Sequence, residues 1–170
     1  QLQTGVSLML LDEGMDTGPI LAQSVPIDLS GRERRSELQT LLFKEAEPLL
    51  SGTLAELQLG TVTPVVQDNA AASFTQLLRR SDGEIEWTAS AVHIERMVRA
   101  YDIWPGTFTT WNGKKVKILY SKLMDGTETN PGHVTFRSGH LSVSTGAGLL
   151  EIIQLQLEGR QIALAADFVR

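Results

Sequence analysis

The second half of the sequence alternates short apolar segments with turn residues, and this alternation constrains the fold more than any other feature. Asn112-Gly113 separates two of the segments and strongly indicates a two-residue hairpin turn, because both residues tolerate positive φ. The alternation predicts five strands, at 107–111, 115–123, 132–136, 140–144 and 149–156. Five short strands favour a small barrel or sandwich, and the number suits an open barrel of the oligonucleotide-binding (OB) type.

Two helices are predicted before these strands. The first begins near Ser30, which has capping-box spacing to Glu33, and ends at Gly60 after leucines at helical spacing. Pro48 lies inside this run, so we expect a kink or two helices that meet there. The second helix has Thr88 as its cap. Its apolar face comprises Ile94, Met97, Val98 and Tyr101.

A helix-poor segment with a proline and small polar residues lies between the two helices, at 61–73. Such a composition is typical of a linker between domains. We therefore expect an α/β portion at 1–60, a linker at 61–73 and a β-rich domain at 74–170. The fold class is predicted as α+β.

Composition and charge exclude several classes of protein. The 170 residues include no cysteine, so disulfides, thiolate metal sites and thiol nucleophiles are excluded, and a reducing, cytoplasmic location is expected. No apolar run reaches the roughly 18–20 residues needed to span a bilayer, and no membrane association is expected. Residues 1–71 hold 4 basic and 10 acidic residues, whereas 72–170 hold 11 and 10. The net charge of −5 argues against indiscriminate nucleic-acid binding, although a local basic face remains open.

The stretch LLDEGMDTGPIL, at 10–21, places Asp12 and Asp16 four residues apart between two apolar runs. A calcium loop fits poorly, because the third position is Gly14 and the twelfth is Gln23. Two alternatives stay open on the pattern alone. The stretch is either a glycine-rich turn with solvated carboxylates, or it places Asp16 just past a buried strand, where open α/β sheets bind ligands.

The remaining candidates carry weaker signals. His93, His133 and His140 lack metal-ligand spacing, and no metal is expected. The three tryptophans are expected in the core, and residues 144–148 as a hairpin turn. Lys114, Lys115 and Lys117 follow the Asn-Gly turn, and strand alternation puts Lys115 and Lys117 on one face. That face is either a solvated strand surface or a patch that contacts phosphates.

Three blocks together resemble a known family: TGVSLMLLDEGMDTGPILAQ, RAYDIWPGTF and LLEIIQLQLEGR, in this order. The sequence resembles the folate-dependent formyltransferases, most closely the methionyl-tRNA formyltransferases, over nearly the whole chain. The resemblance implies a Rossmann-like catalytic domain that binds 10-formyltetrahydrofolate and an OB-type domain that binds initiator methionyl-tRNA during translation initiation. Residues 1–60 would then be an α/β remnant, the carboxy-terminal portion of the catalytic domain, and 74–170 the tRNA-side barrel.

The resemblance also implies roles for particular residues. The family's catalytic aspartate falls on Asp16, and the loop that would line the folate pocket includes Asp12, Gly14, Thr17 and Gly18. The family's catalytic asparagine and histidine would lie upstream of residue 1, so we expect these 170 residues alone to have no significant transferase activity. In the implied chemistry, the amine of methionyl-tRNA attacks the formyl carbon, and Asp16 orients a water or a histidine for proton transfer. We expect a monomer.

Two other functions remain open. A sugar-nucleotide N-formyltransferase shares the Asp16 motif and the WPG segment and needs no tRNA surface. A non-catalytic RNA-binding module, in which Asp16 is a structural turn residue, belongs to a different class. If the chain is part of a methionyl-tRNA formyltransferase, the predicted contacts to tRNA phosphates are Arg99, Lys114, Lys115 and Lys117.

Overall fold

The computed structural model describes residues 2–126 and 130–168, and the chain divides into two compact units. The N-terminal unit is Gln1–Gln76 and the C-terminal unit is Leu77–Arg170. The fold class is α+β with mostly antiparallel sheet, as predicted at the coarse level. Within the described residues, no helix is both long and apolar enough to cross a membrane.

The N-terminal unit consists of two short antiparallel strand pairs and one long helix, α1. Its strands are β1 (Gln3–Thr4), β2 (Ser7–Met9), β3 (Ile20–Gln23) and β4 (Ile27–Asp28). β1 pairs with β4, and β2 pairs with β3 with a register shift between Leu8 and Met9. Val65, in the segment predicted as a linker, exchanges two backbone hydrogen bonds of 2.8 Å with Ile20 and so extends the second pair.

Helix α1 runs from Arg35 to Leu59, so its predicted start near Ser30 is wrong. The Ser30 N–H does donate to the Glu33 carboxylate at 2.7 Å, but it does so in the turn before the helix. Glu37 accepts from the Arg34 N–H at 3.0 Å and is the carboxylate that satisfies the helix start. The predicted end is confirmed, because Gly60 has φ 68° and its N–H bonds back to Leu57.

One helix continues through Pro48, so the alternative of two separate helices is wrong. A proline inside a helix removes one hydrogen bond and costs about 3 kcal/mol, which the remaining turns of a 25-residue helix offset. Several apolar side chains of α1 are exposed, including Phe43 at 68%. Among the described residues of the N-terminal unit, only Gly18 and Thr53 are buried, so this unit has no apolar core of its own.

The C-terminal unit begins with a 3₁₀ turn, Arg80–Gly83, followed by α2 (Ala91–Ala100). The five predicted strands are all present and form the path β5-β6-β9-β8-β7, with β10 paired to β9. Asn112 and Gly113 have φ 49° and 73°, which confirms the predicted hairpin turn. The chain elements that follow α2 are β5 (Thr107–Trp111), β6 (Lys114–Met124), β7 (Val134–Arg137), β8 (His140–Ser144), β9 (Leu149–Leu157), β10 (Ala163–Leu164) and α3 (Ala165–Phe168).

Helix α2 packs on one face of this sheet and closes the core. Ile94 and Val98 are 1% and 2% exposed, and they share a cluster with Val116, Ile118 and Leu150 of the strands. The predicted apolar face of α2 is therefore confirmed for these residues.

The predicted cap of α2, Thr88, is wrong. Ser90 accepts from the His93 N–H at 3.2 Å instead. The turn at 144–148, predicted as a hairpin turn, explains the shift. The Gly146 N–H donates to the carbonyls of Trp87 and Ala89 at 2.9 Å, which engages the backbone on both sides of Thr88 and delays the helix.

The tryptophans only partly follow the prediction of a core location. Trp87 is half-buried against the core, and its Nε1–H donates to the Thr109 hydroxyl at 3.0 Å. Trp104 and Trp111 are 42% and 50% exposed, so the prediction is wrong for them. Trp104 lies beside the Arg80 guanidinium, 5.6 Å from its ring centroid, and Trp111 packs edge-on against Phe168. Large aromatic rings at strand and turn ends gain such contacts while they remain accessible.

Candidate functional site

The stretch with two aspartates forms the connection between β2 and β3. The Leu10 N–H donates to the Pro19 carbonyl at 3.0 Å and closes the connection at its base. Residues 10–17 are exposed, whereas Gly18 is buried. The strand before the connection is half-buried at Leu8 and Met9, so the expectation of a fully buried strand is wrong. The connection is thus an accessible loop on an antiparallel pair; we call Leu10–Pro19 the acidic loop.

Asp12 is committed to the internal structure of the acidic loop. Its Oδ1 accepts from the Gly14 N–H at 3.0 Å and from the Thr17 hydroxyl at 2.6 Å. A side chain at position 14 would put its Cβ 2.1 Å from the Thr17 hydroxyl oxygen and would displace that hydroxyl from Asp12. Asp12, Gly14 and Thr17, three of the predicted binding residues, are therefore held together by one carboxylate oxygen.

Asp16 lies at the tip of the same loop in an unusual backbone conformation. Its φ is 56°, in the left-handed region that residues with side chains rarely adopt. The residue is exposed, and no protein group within residues 2–126 and 130–168 hydrogen-bonds its carboxylate. Positive φ at a non-glycine residue persists where surrounding contacts hold it, and such residues cluster at functional sites. A carboxylate without a protein partner at the tip can orient a water by accepting a hydrogen bond from it.

Gly18 is the point of closest packing in the acidic loop. A Cβ there would lie 1.8 Å from the Leu10 carbonyl oxygen and 3.6 Å from the Asp12 nitrogen. Because the nearest atoms belong to backbone, no side-chain movement could relieve this contact. Gly18 thus permits the two ends of the loop to approach closely.

Gln67 makes a contact to the loop that the sequence did not predict. Its side-chain Nε2 donates to the Asp16 carbonyl at 2.9 Å and to the Gly18 carbonyl at 2.7 Å, from a position in the segment predicted as a linker. No local pattern signals this contact, since the partners are 51 and 49 residues apart.

The three predicted phosphate-contacting lysines lie together on β6, in the C-terminal unit. Lys115 and Lys117 alternate with the buried Val116 and Ile118, which confirms that the two lysines share the outward face. The Lys115 ammonium lies 4.0 Å from the centroid of the Phe108 ring. Lys114 is exposed at the start of the strand. The outward face therefore offers positive charge beside an aromatic ring, a combination that nucleic-acid surfaces use.

Arg99 is placed differently from the lysines. It lies on α2, whose residues pack on the core face of the sheet, opposite the face that carries Lys115 and Lys117. Its guanidinium forms two hydrogen bonds with Glu95, at 2.7 and 3.2 Å. Glu95 therefore compensates the charge of Arg99 locally, and the structure does not bring Arg99 onto the lysine face.

A buried carboxylate in the C-terminal unit forms a separate cluster. Glu151 is 5% exposed, and its two oxygens lie 2.6 Å from Nδ1 of His140 and 3.0 Å from the Lys122 ammonium. Burial acts to raise the pKa of the Glu151 carboxyl, but the hydrogen bonds and charges of His140 and Lys122 outweigh it and hold that pKa below its ordinary value. Among the described residues, no group of three metal-ligating side chains occurs.

Residues 77–170 match the family described as formyl transferase, C-terminal domain, and the chain belongs to this family. The chain is 43% identical over 161 residues to a methionyl-tRNA formyltransferase of Chloroflexus aurantiacus, covering 93% of this chain and 52% of that protein. It is 42% identical over 170 residues to a methionyl-tRNA formyltransferase of Roseiflexus sp., covering 99% and 52%. The chain spans about half the length of these curated relatives.

Solved structures share the fold at lower identity. HypX from Aquifex aeolicus matches with a TM-score of 0.75 and 17% identity, over 99% of this chain and 30% of that protein. An N-formyltransferase from Helicobacter canadensis, solved with folinic acid and dTDP-3-aminofucose, matches with a TM-score of 0.65 and 19% identity, over 89% and 55%. At these identities the likeness concerns the fold alone.

Proposed function

We propose that the protein containing these residues transfers a formyl group from 10-formyltetrahydrofolate to the amine of initiator methionyl-tRNA, for translation initiation in the cytoplasm. The observation that carries the proposal is the 42% identity over 170 residues with a methionyl-tRNA formyltransferase. The sugar N-formyltransferase likeness stands at 19%, so the tRNA substrate is favoured over an amino-sugar nucleotide. We propose that the protein acts as a monomer.

The domain assignment is part of this proposal. Residues 1–60 are assigned to the carboxy-terminal portion of a Rossmann-like catalytic domain, 61–73 to a linker and 74–170 to an OB-like, tRNA-binding barrel. The exposed apolar side chains of α1, such as Phe43 at 68% and Leu59 at 77%, support the first assignment, because stable domains bury such residues. The antiparallel order β5-β6-β9-β8-β7 supports the third.

In the proposed site, Asp16 is the catalytic residue and the acidic loop binds the folate through Asp12, Gly14, Thr17 and Gly18. Leu11 and Met15 are 89% and 83% exposed, so the loop offers apolar surface to a flat ring system beside the Asp16 carboxylate. The folate supplies the formyl group. A bond forms between the amine nitrogen and the formyl carbon, the bond from that carbon to N10 breaks, the amine loses a proton and N10 gains one. Asp16 orients the water or histidine that moves this proton.

The tRNA-side contacts are proposed at Arg99, Lys114, Lys115 and Lys117. The outward, ring-flanked placement of Lys115 and Lys117 supports these two most directly. Lys117→Gln should weaken tRNA binding and reduce the slope of log K against log salt by about one unit, because each neutralised phosphate releases counterions. Lys44→Gln, on α1, removes the same charge from the other unit and should leave the slope unchanged.

The test of the function assays the polypeptide as its gene encodes it and compares methionyl-tRNA with an amino-sugar nucleotide as the formyl acceptor. With 10-formyltetrahydrofolate, we expect formylation of methionyl-tRNA, and Asp16→Asn should lower the rate by about 10²-fold or more. Asp28→Asn is the matched control, since the Asp28 carboxylate in β4 bonds only to Gln3 among the described groups. Formylation of an amino-sugar nucleotide instead of tRNA would establish the alternative acceptor. Salt-dependent RNA binding without any transfer would establish the non-catalytic module.

A further inference from the structure

Gln67 joins two distant parts of the N-terminal unit at the acidic loop. Its one carboxamide nitrogen carries two N–H groups, and these reach the Asp16 carbonyl at 2.9 Å and the Gly18 carbonyl at 2.7 Å. The two accepting peptides enclose Thr17 and Gly18, so a single side chain restrains the backbone before Thr17 and after Gly18. The sulfur of Met9, at the end of β2, lies 3.8 Å from the same nitrogen.

The backbone that carries Gln67 is itself fixed to β3. Val65, two residues earlier, donates to and accepts from Ile20 at 2.8 Å in both directions. The Gln67 side chain is half-buried, in contrast to its exposed neighbours Val66 and Asp68. Gln67 therefore reaches the acidic loop from a backbone segment that is already fixed. On a mobile segment, the same hydrogen bonds would cost more conformational entropy, because the backbone would have to be ordered as well.

The loop conformation needs such a contact. Asp16 is exposed and has φ 56°, in the left-handed region of backbone conformation. A non-glycine residue in that region is strained by about 1–3 kcal/mol. Asp12 restrains the first half of the loop through Gly14 and Thr17. The carbonyl of Asp16 has its hydrogen bond from Gln67, which restrains the peptide that follows the carboxylate-bearing residue.

We propose that Gln67 is a positioning residue for the Asp16 carboxylate, and that residues 65–67 belong functionally to the catalytic site. The expected effect on catalysis rests on the proposed function, whereas the restraint of the loop by the Gln67 hydrogen bonds does not. Reacting groups displaced by about 1 Å lose rate by about 10²-fold. Loss of the two Gln67 hydrogen bonds leaves the peptide after Asp16 free to move by that amount.

The experiment uses two substitutions that remove the donor while keeping the size of the side chain. Gln67→Leu replaces the carboxamide by an apolar group, and Gln67→Glu replaces it by a carboxylate that at neutral pH only accepts. Gln23→Leu is the matched control, because Gln23 in β3 donates to the Ser7 hydroxyl at 2.9 Å, on the neighbouring strand rather than in the acidic loop. All variants are made in the polypeptide as its gene encodes it.

For methionyl-tRNA formylation we expect both Gln67 variants to lower kcat about 100-fold, with the KM for the tRNA within about threefold of wild type. Gln23→Leu should keep kcat within about threefold, at a similar melting temperature. If Gln67 had a purely structural role, the variants would have a lower melting temperature and a smaller fraction of active protein. They would not show a lower kcat at an unchanged KM in the active fraction. Equal kcat for Gln67→Leu and wild type overturns the inference.

A second measurement does not depend on the function. Amide hydrogen exchange at Leu10 and Ile20, whose N–H groups donate to Pro19 and Val65, reports opening of the loop and its anchor. In the same gene-encoded polypeptide, Gln67→Leu should speed exchange at these amides about tenfold, as expected for one to two lost hydrogen bonds, and Gln23→Leu should not. Unchanged exchange overturns the inference even if wild-type protein formylates tRNA. Faster exchange with an inactive wild type supports the positioning contact and rejects the proposed function. If Gln67→Leu fails to fold, Gln67→Asn, which is one methylene shorter, carries the same two measurements.

Discussion

Two glycine-to-alanine substitutions in the N-terminal unit should change stability in opposite directions. At Gly18 an added Cβ would lie 1.8 Å from the Leu10 carbonyl oxygen. At Gly52, inside α1, nothing lies within 4 Å of the added Cβ. The chemical change is the same in both variants, so the difference between them isolates the close packing at the base of the acidic loop.

The size of each effect follows from the surrounding atoms. Ordinary van der Waals contact begins at 3.4 Å, so Gly18→Ala must move backbone by about 1.6 Å. A displacement of this size breaks two hydrogen bonds, from the Leu10 N–H to the Pro19 carbonyl and from the Gln67 side chain to the Gly18 carbonyl. Each lost hydrogen bond costs about 1 kcal/mol. With about 1 kcal/mol of overpacking, the expected loss is about 3 kcal/mol. Gly52→Ala should instead stabilise the unit by about 1 kcal/mol, because alanine is the better helix former.

The assay is urea unfolding followed by the helical far-ultraviolet circular dichroism signal. Helix α1, with 25 residues, is the longest of the described helices and dominates that signal. The midpoint should fall for Gly18→Ala and rise for Gly52→Ala, with unchanged slopes. In the polypeptide as its gene encodes it, formyl transfer should be lost only in Gly18→Ala. A Gly18→Ala variant as stable as wild type would refute the close backbone approach, and a destabilised Gly52→Ala would refute the open surroundings of Gly52.

Two further predictions concern the C-terminal unit. The folded-state pKa of Glu151 is lowered from its ordinary 4.5, so its contribution to stability is present above that pH and disappears as the pH falls through the folded value. Glu151→Gln should therefore cost about 1–2 kcal/mol in urea unfolding at pH ~7 and less as the pH falls below the ordinary value, and a cost that does not change with pH would contradict the ion-pair explanation. Leu150→Ala should cost about 2–5 kcal/mol in the same assay, because Leu150 is 0% exposed, while Leu123→Ala, at 49% exposure, should cost less than about 1.

The strands of the C-terminal unit were predictable because their signals are local. Residues 107–111 and 140–144 match β5 and β8 without error. Alternation of apolar and polar side chains fixes the face of each strand, and Asn112-Gly113 fixes the register of β5 against β6. The short strand β10 was missed, since two residues that pair with β9 carry no period.

The helix starts were less predictable because typical capping residues also occur outside helix ends. Ser30 and Arg34 each have a glutamate three residues later, but only serine is a typical cap, so the pattern favours the earlier position. Only the later pair lies at the start of α1, while the earlier one forms its bond in a turn. For α2 the contacts of Gly146 decide the start, and that residue lies more than 50 positions later in the sequence. Tertiary contacts of this kind cannot be recovered from a capping pattern.

The two aspartates of the acidic loop show what the sequence left undecided at the site. In the sequence, Asp12 and Asp16 are alike in charge and in their glycine-rich surroundings. In the structure, Oδ1 of Asp12 accepts two hydrogen bonds from its own loop, so displacing this carboxylate would open the turn. Asp16 makes no such side-chain bond within the described residues, while its main chain is held through Gln67. Asp16 thus combines a restrained main chain with a carboxylate that no described group occupies, and the catalytic role that we propose for it uses this combination.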